Sequence, residues 1–158
     1  MNRNEGQDHI VQQGFQTEKQ VVREYYAALG RADGKELCSV IDAHTDAGYL
    51  WRGYHPFNEL TSGAEVADSF WRPLRAALTS MQRRMDIFMA GWNDLEGHEG
   101  VWVVSMGHLM VLFDASWLWI PQTGKIAMLR YCEFNRVEGG KITETAMFFD
   151  IPHLMMQA

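Results

Sequence analysis

The sequence predicts an α+β fold in which a curved antiparallel sheet of about four to six strands wraps three helices. Two observations carry that reading. Apolar residues recur at helical spacing from Thr17 to about Thr79, and from Met81 onward they alternate with a period of two. Helical pieces followed by consecutive strands place the helices on one face of a single sheet. The 158 residues suit one domain, long enough to bury a core without a metal or a disulfide.

Each element has its own signal. Thr17-Glu18-Lys19-Gln20 has the spacing of a capping box, after which Val21, Val22, Tyr25, Tyr26 and Leu29 share one helical face. Gly30 suits a left-handed stop. Asp33 with Glu36 caps a short second helix carrying Leu37, Val40 and Ile41. The stretch from Gly48 to Tyr54 reads as a short strand leading into the His55-Pro56-Phe57 loop. Ser62 with Glu65 opens a third helix with the stripe Val66, Phe70, Trp71, Leu74 and Leu78, which Pro73 should kink or split.

Four strands follow, at about Gln82 to Trp92, Gly100 to Phe113, Ile126 to Val137 and Lys141 to Phe149. The residues between them are turn formers: Asn93 to Glu99, Pro121-Gln122-Thr123-Gly124, and the tight hairpin Glu138-Gly139-Gly140-Lys141. Gly107, inside a long strand, marks a bulge or bend that lets the sheet curve.

Composition excludes several roles. The net charge is −6 and no basic stripe is visible, so a nucleic-acid partner is not expected. Cys38 and Cys132 stand alone, in no metal-type or CxxC spacing, as in a reduced cytosolic protein. Met1 to Gln13 is polar and holds no leader-like stretch, and no apolar run is long enough to span a membrane. The expected organisation is a polar tail over 1–16 and one cytoplasmic domain over 17–158.

The second half carries a longer pattern. Trp119-Ile120-Pro121-Gln122-Thr123-Gly124-Lys125 is followed by Arg130-Tyr131-Cys132-Glu133-Phe134, then Arg136 to Glu144, then Asp150 and Leu154. This order resembles that of the SnoaL-like polyketide cyclases of the nuclear-transport-factor-2-like superfamily, and the likeness runs from about Thr17 to the end. The resemblance implies a cone-shaped, cystatin-like α+β barrel with a deep hydrophobic cavity, and a homodimer through the outer face of the sheet. Members include cyclases, dehydratases, isomerases and epoxide hydrolases beside non-catalytic binding and scaffold proteins, and some resemble two such domains in tandem. In the cyclases an aspartate of the last strand is the general acid. The corresponding position here is Met147, which carries no proton, and Asp150 matches a second aspartate just beyond the strand.

Acid–base chemistry on a carbonyl needs a desolvated carboxylate or histidine. The catalytic candidates are His108, Glu133 and Asp150, with His108 moving a proton that Glu133 or Asp150 orients and with Tyr131 and Tyr54 holding the substrate oxygen. His108 has an alternative as a hydrogen-bonded core histidine, Asp150 as the cap of a short C-terminal helix, and Glu144 as a structural partner of Arg130. Strand parity puts Tyr131 with Glu133, and Thr145 with Met147 and Phe149, opposite Glu144, Ala146 and Phe148. Aromatic and methionine residues suggest an apolar pocket formed by Tyr25, Trp51, Tyr54, His55, Trp71, Trp117, Trp119, Tyr131 and Met147. No phosphate loop or metal spacing is present, so no cofactor and no metal are expected. The expected function is a small enzyme acting on a hydrophobic carbonyl compound. The alternatives are a binding module for an apolar ligand and a dimerising scaffold.

Overall fold

A computed structural model describes residues 14–158, and the polar stretch before Gly14 lies outside the described residues. Helix α1 (Gln16–Arg31) buries Val22, Tyr25, Tyr26 and Leu29, the face that the spacing predicts. Its start differs from the predicted box. Phe15, at φ 59°, precedes the first turn, and no side chain caps it. Thr17 and Gln20 therefore lie within the helix, where Gln20 Nε2 donates to Glu24 one turn on. Gly30 is not the stop, because the helix continues to Arg31 and ends on an extended Ala32.

The cap before α2 (Leu37–His44) forms as expected. Asp33 Oδ1 accepts from the amides of Lys35 and Glu36, and the Glu36 carboxylate accepts from the Asp33 amide. Strand β1 (Thr45–Tyr54) starts earlier than its apolar residues indicate and turns back into β2 (Asn58–Leu60), too short and polar to be visible in the sequence. Ser62 Oγ caps α3 (Gly63–Val66), accepting from the Glu65 amide at 3.2 Å. Pro73 acts as predicted. A π-helical turn (Ala67–Trp71) separates α3 from α4 (Arg72–Ala77), and the wider turn accommodates a residue that offers no amide hydrogen.

Strands β3 (Leu78–Asn93), β4 (Gly100–Phe113), β5 (Ile126–Glu138) and β6 (Lys141–Phe149) form an antiparallel meander, and α5 (Ile151–Met155) closes the chain. The sheet has six strands in the order β2-β1-β6-β5-β4-β3. It is not wholly antiparallel, since β1 and β6 run parallel. No hairpin joins that pair, because most of the domain lies between them, so their relative direction is free.

The bulge at Gly107 sits on its partner strand. Gly107 faces Met85, and β3 carries Asp86 as an extra residue before the register resumes at Ile87. A Cβ at Gly107 would stand 2.0 Å from the Arg84 carbonyl oxygen, so only glycine permits this close crossing. The bent sheet wraps its concave face around α1 and the Val66–Leu74 stripe. Leu109 and Val111 of β4 face Leu129 and Ala127 of β5 in that core, with Val103, Phe113 and Tyr131 buried beside them.

Candidate functional site

The concave face of a sheet wrapped on helices should be apolar, but here its centre is polar. Alternation along β5 sends Tyr131, Glu133 and Asn135 inward, with Ser105 of β4 and Thr145 and Met147 of β6 beside them. Arg83 of β3 reaches the same point, and Tyr25, Tyr26 and Tyr49 close it from α1 and β1. Arg83 Nη1 donates to Glu133 Oε2 at 2.7 Å, with Glu133 only 1% exposed. The guanidinium lies 3.8 Å from the Tyr26 ring centroid and 4.6 Å from that of Tyr131, so its faces are covered by π systems.

The hydrogen bonds have a direction. Tyr49 Oη donates to Thr145 Oγ1 at 2.9 Å, and Thr145 donates to Asn135 Oδ1 at 2.7 Å. That fixes the amide, whose Nδ2 donates to Tyr26 Oη at 3.1 Å and to Glu133 Oε1 at 3.3 Å. Both Glu133 oxygens are thus held, one by Asn135 and the other by Arg83. Ser105 and Tyr131 share a hydrogen bond of 2.7 Å. Burial pushes the Tyr26 and Tyr49 hydroxyls well above the usual phenol range. It does the same to Tyr25, and the Glu133 carboxylate adds to the effect on all three. Burial works against the charge of Arg83, but Glu133 and the neighbouring phenols more than offset it, and the guanidinium stays charged.

One small cavity opens onto this centre. It holds about 40 Å³, and Tyr26, Leu29, Trp71, Arg75, Met81, Arg83 and Leu109 line it. Among the described residues, the tyrosines and the ion pair occupy the centre of the concave face, where the resemblance implies a deep hollow. Trp71 is 4% exposed, and its indole Nε1 makes no hydrogen bond of normal geometry, although it stands near enough to the Tyr25 hydroxyl to work against the rise of that group's pKa.

The structure separates the predicted catalytic residues. Glu133 and Tyr131 are inside. His108 lies on the outer face opposite Arg130, with its Nδ1 3.7 Å from Asp86 Oδ2. His108 and Glu133 therefore cannot pair: along β4 the residue facing Glu133 is Ser105, and the odd offset to His108 reverses the face. His108 is not a core histidine either. Asp150 caps α5, accepting from the His153 amide at 3.0 Å, and stands 3.7 Å from Arg130. Together with Asp86, Cys132 and Phe148, His108 and Asp150 line an outer groove of about 670 Å³.

Of the predicted pocket residues, Tyr25, Trp51, Trp71, Trp117, Tyr131 and Met147 are buried, and Met147 stands directly across from Glu133. Tyr54 is on the outer face, stacked 4.3 Å from Phe148, so it cannot act with Tyr131 on one oxygen. His55 is exposed in the β1–β2 loop. Trp119 is 69% exposed at the tip of a Leu118-Trp119 turn in which both residues have positive φ. Glu144 pairs with Arg52 rather than Arg130, since its cross-strand neighbour is Arg136 and Arg130 faces Asp150. Among the described residues no group of His, Cys, Asp and Glu is arranged to hold a metal ion.

Arg83, Asn135 and Arg75 are among the site residues that the sequence reading missed, with Tyr49, Ser105 and Thr145 of the hydrogen-bond network. One signal was available: Arg83-Arg84 are adjacent in a strand, so one of the two guanidiniums must face inward.

No family model and no curated protein matches the chain. Solved structures do. An NTF2-like protein from Burkholderia thailandensis E264 superposes with TM-score 0.63 at 22% identity, over 89% of this chain and 95% of that one. A candidate SnoaL-like polyketide cyclase from Jannaschia sp. CCS1 gives TM-score 0.68 at 18% identity, over 96% of each chain. IdmH, a candidate polyketide cyclase from Streptomyces antibioticus, gives 0.69 at 12% identity, over 90% of this chain and 97% of that one. At these identities the likeness defines the fold: the chain has the NTF2-like architecture found in the SnoaL-like proteins.

The three buried phenols set an alkaline limit on stability. The folded chain keeps protons on Tyr25, Tyr26 and Tyr49 that the unfolded chain releases near the ordinary phenol value of 10.0. With fewer protons bound in the unfolded state, unfolding free energy falls as pH rises through that value, by up to about 1.4 kcal/mol per pH unit for each tyrosine. Urea titrations from about pH 8 to pH 11 should show this fall, and Tyr49→Phe should make it shallower. A flat profile would mean that these hydroxyls are not held protonated.

Proposed function

We propose that the chain is a small-molecule enzyme of the SnoaL-like kind that works by general acid–base chemistry at the polar centre of the cone, without a cofactor. The observation that carries this reading is the Arg83–Glu133 pair. It lies buried where apolar side chains of the same volume would be as stable, and a water-sized cavity reaches its guanidinium. A substrate carbonyl oxygen entering the cavity meets Arg83 and Tyr26. Tyr26 holds its proton, so it acts as a hydrogen-bond donor rather than a base, and the charged Arg83 stabilises an enolate oxygen. Glu133, the buried acidic side chain of the concave face, stands behind the cavity wall 2.7 Å from Arg83 and is the group assigned to take the proton, with Asn135 and Arg83 fixing its two oxygens. The cavity admits only the reacting end of a substrate. Its apolar remainder would lie against Leu29, Trp71, Met81 and Leu109. The free cysteines, both with thiols pushed up by burial, suit a reducing, cytoplasmic setting.

A second observation favours a homodimer through the sheet. The outer face exposes Met89, Trp92, Met106, Met128 and Phe148 around two grooves of about 670 and 600 Å³ that share Phe148. Asp86, His108, Arg130 and Asp150 stand on the same face with both signs of charge, as a self-complementary surface requires.

In a screen of carbonyl compounds, Glu133→Gln should lower kcat by about 10²–10⁴-fold, while His108→Ala keeps the native rate. Full turnover in Glu133→Gln would end the acid–base reading. Light scattering should find a dimer, and Phe148→Glu should convert it to a folded monomer. A native chain that is monomeric at high concentration would refute the interface.

A further inference from the structure

We infer that the cavity at the mouth of the cone is a carboxylate site, and that the substrate of the proposed reaction is accordingly an oxo acid. The substrate assignment rests on the acid–base reading above; the anion site rests on the cavity wall alone. Four polar side chains line that wall, Tyr26, Trp71, Arg75 and Arg83, and none of them is acidic. Two of the four are guanidiniums, which only donate, and so is the indole N–H.

The charges do not balance. Glu133 compensates Arg83 at 2.7 Å. Arg75 has no such partner: among the described residues it forms no ion pair, and its Nη1 and Nη2 reach only the carbonyls of Ala32 and Gly30 at 2.8 and 3.5 Å. Those bonds cap the end of α1. A helix C-terminus supplies roughly half a negative charge, and two carbonyls engage only part of a group with five N–H donors, so a net positive charge remains. The guanidinium is half-buried, and burial lowers its pKa with no carboxylate to oppose the effect. Beside it, Trp71 is 4% exposed, and its indole N–H makes no hydrogen bond of normal geometry, with the Tyr25 hydroxyl as its neighbour. A guanidinium without a counter-charge beside a space of about 40 Å³ calls for a small acceptor carrying one negative charge, and a planar carboxylate fits a guanidinium edge. With the acid group at Arg75, an adjacent ketone oxygen falls toward Arg83 and Tyr26, the donors that polarise it.

The probe is pyruvate, with its neutral methyl ester and sodium chloride as controls. The readout is the indole N–H signal of Trp71 in a ¹⁵N-correlated spectrum, assigned by its absence in Trp71→Phe. Pyruvate should move that signal saturably and the methyl ester should not. Arg75→Gln keeps a donor for the helix end but removes the charge, and should weaken pyruvate binding about tenfold or more, with Arg75→Lys recovering part of it. An unmoved signal, an equal response to chloride, or native affinity in a folded Arg75→Gln would overturn the site. Pyruvate binding in a chain that turns over no oxo acid refutes the substrate assignment and leaves the carboxylate site standing.

Discussion

The contact between Arg83 and Glu133 organises the interior. A carboxylate with 1% exposure is tolerable only when its charge is met and its lone pairs are used, and here a guanidinium at 2.7 Å and the Asn135 amide do both. The remaining inner polar groups follow from that requirement. Asn135 must present its nitrogen to Glu133, so its oxygen needs a donor, which is Thr145, and Thr145 in turn accepts from Tyr49. Tyr26 and Tyr131 lie over the guanidinium of the pair. Residues from α1 and from strands β1, β3, β5 and β6 are bound into one network by a single buried charge.

That network explains how a fold associated with a hollow cone here has a nearly filled one. Four tyrosines and an arginine occupy the centre, and what remains is a small, donor-rich cavity at the mouth. The apolar surface that the composition implied is instead displayed on the outer face, where Trp92, Met89 and Phe148 surround open grooves.

The fold was largely legible because its signals are local. Period-two alternation located β4 and β6 to the residue, the Gly139-Gly140 hairpin formed as its residues require, and Pro73 broke its helix. Misreadings arose where a local signal lost to tertiary packing, as at Thr17, which matches a capping box yet lies inside a helix begun by Phe15. The site was less legible. Parity correctly joined Tyr131 to Glu133 and opposed Met147 to Phe148, but it gives relative faces within a strand and not the register between strands. The register that sets Ser105 against Glu133 decides that His108 faces outward, and it depends on a pairing partner far away in sequence. The partnership of Arg83 with Glu133 spans fifty residues and leaves no local mark.

Whether the buried pair is kept for chemistry or for stability is decided most directly by a double-mutant cycle read by denaturant unfolding. Arg83→Met and Glu133→Leu should each cost about 3–5 kcal/mol, because each leaves an uncompensated buried charge. The double variant should be as stable as the native chain or more so, while losing turnover of any carbonyl compound that the native chain converts. A double variant as unstable as either single one would show that the pair holds the fold together, and would contradict its assignment to catalysis.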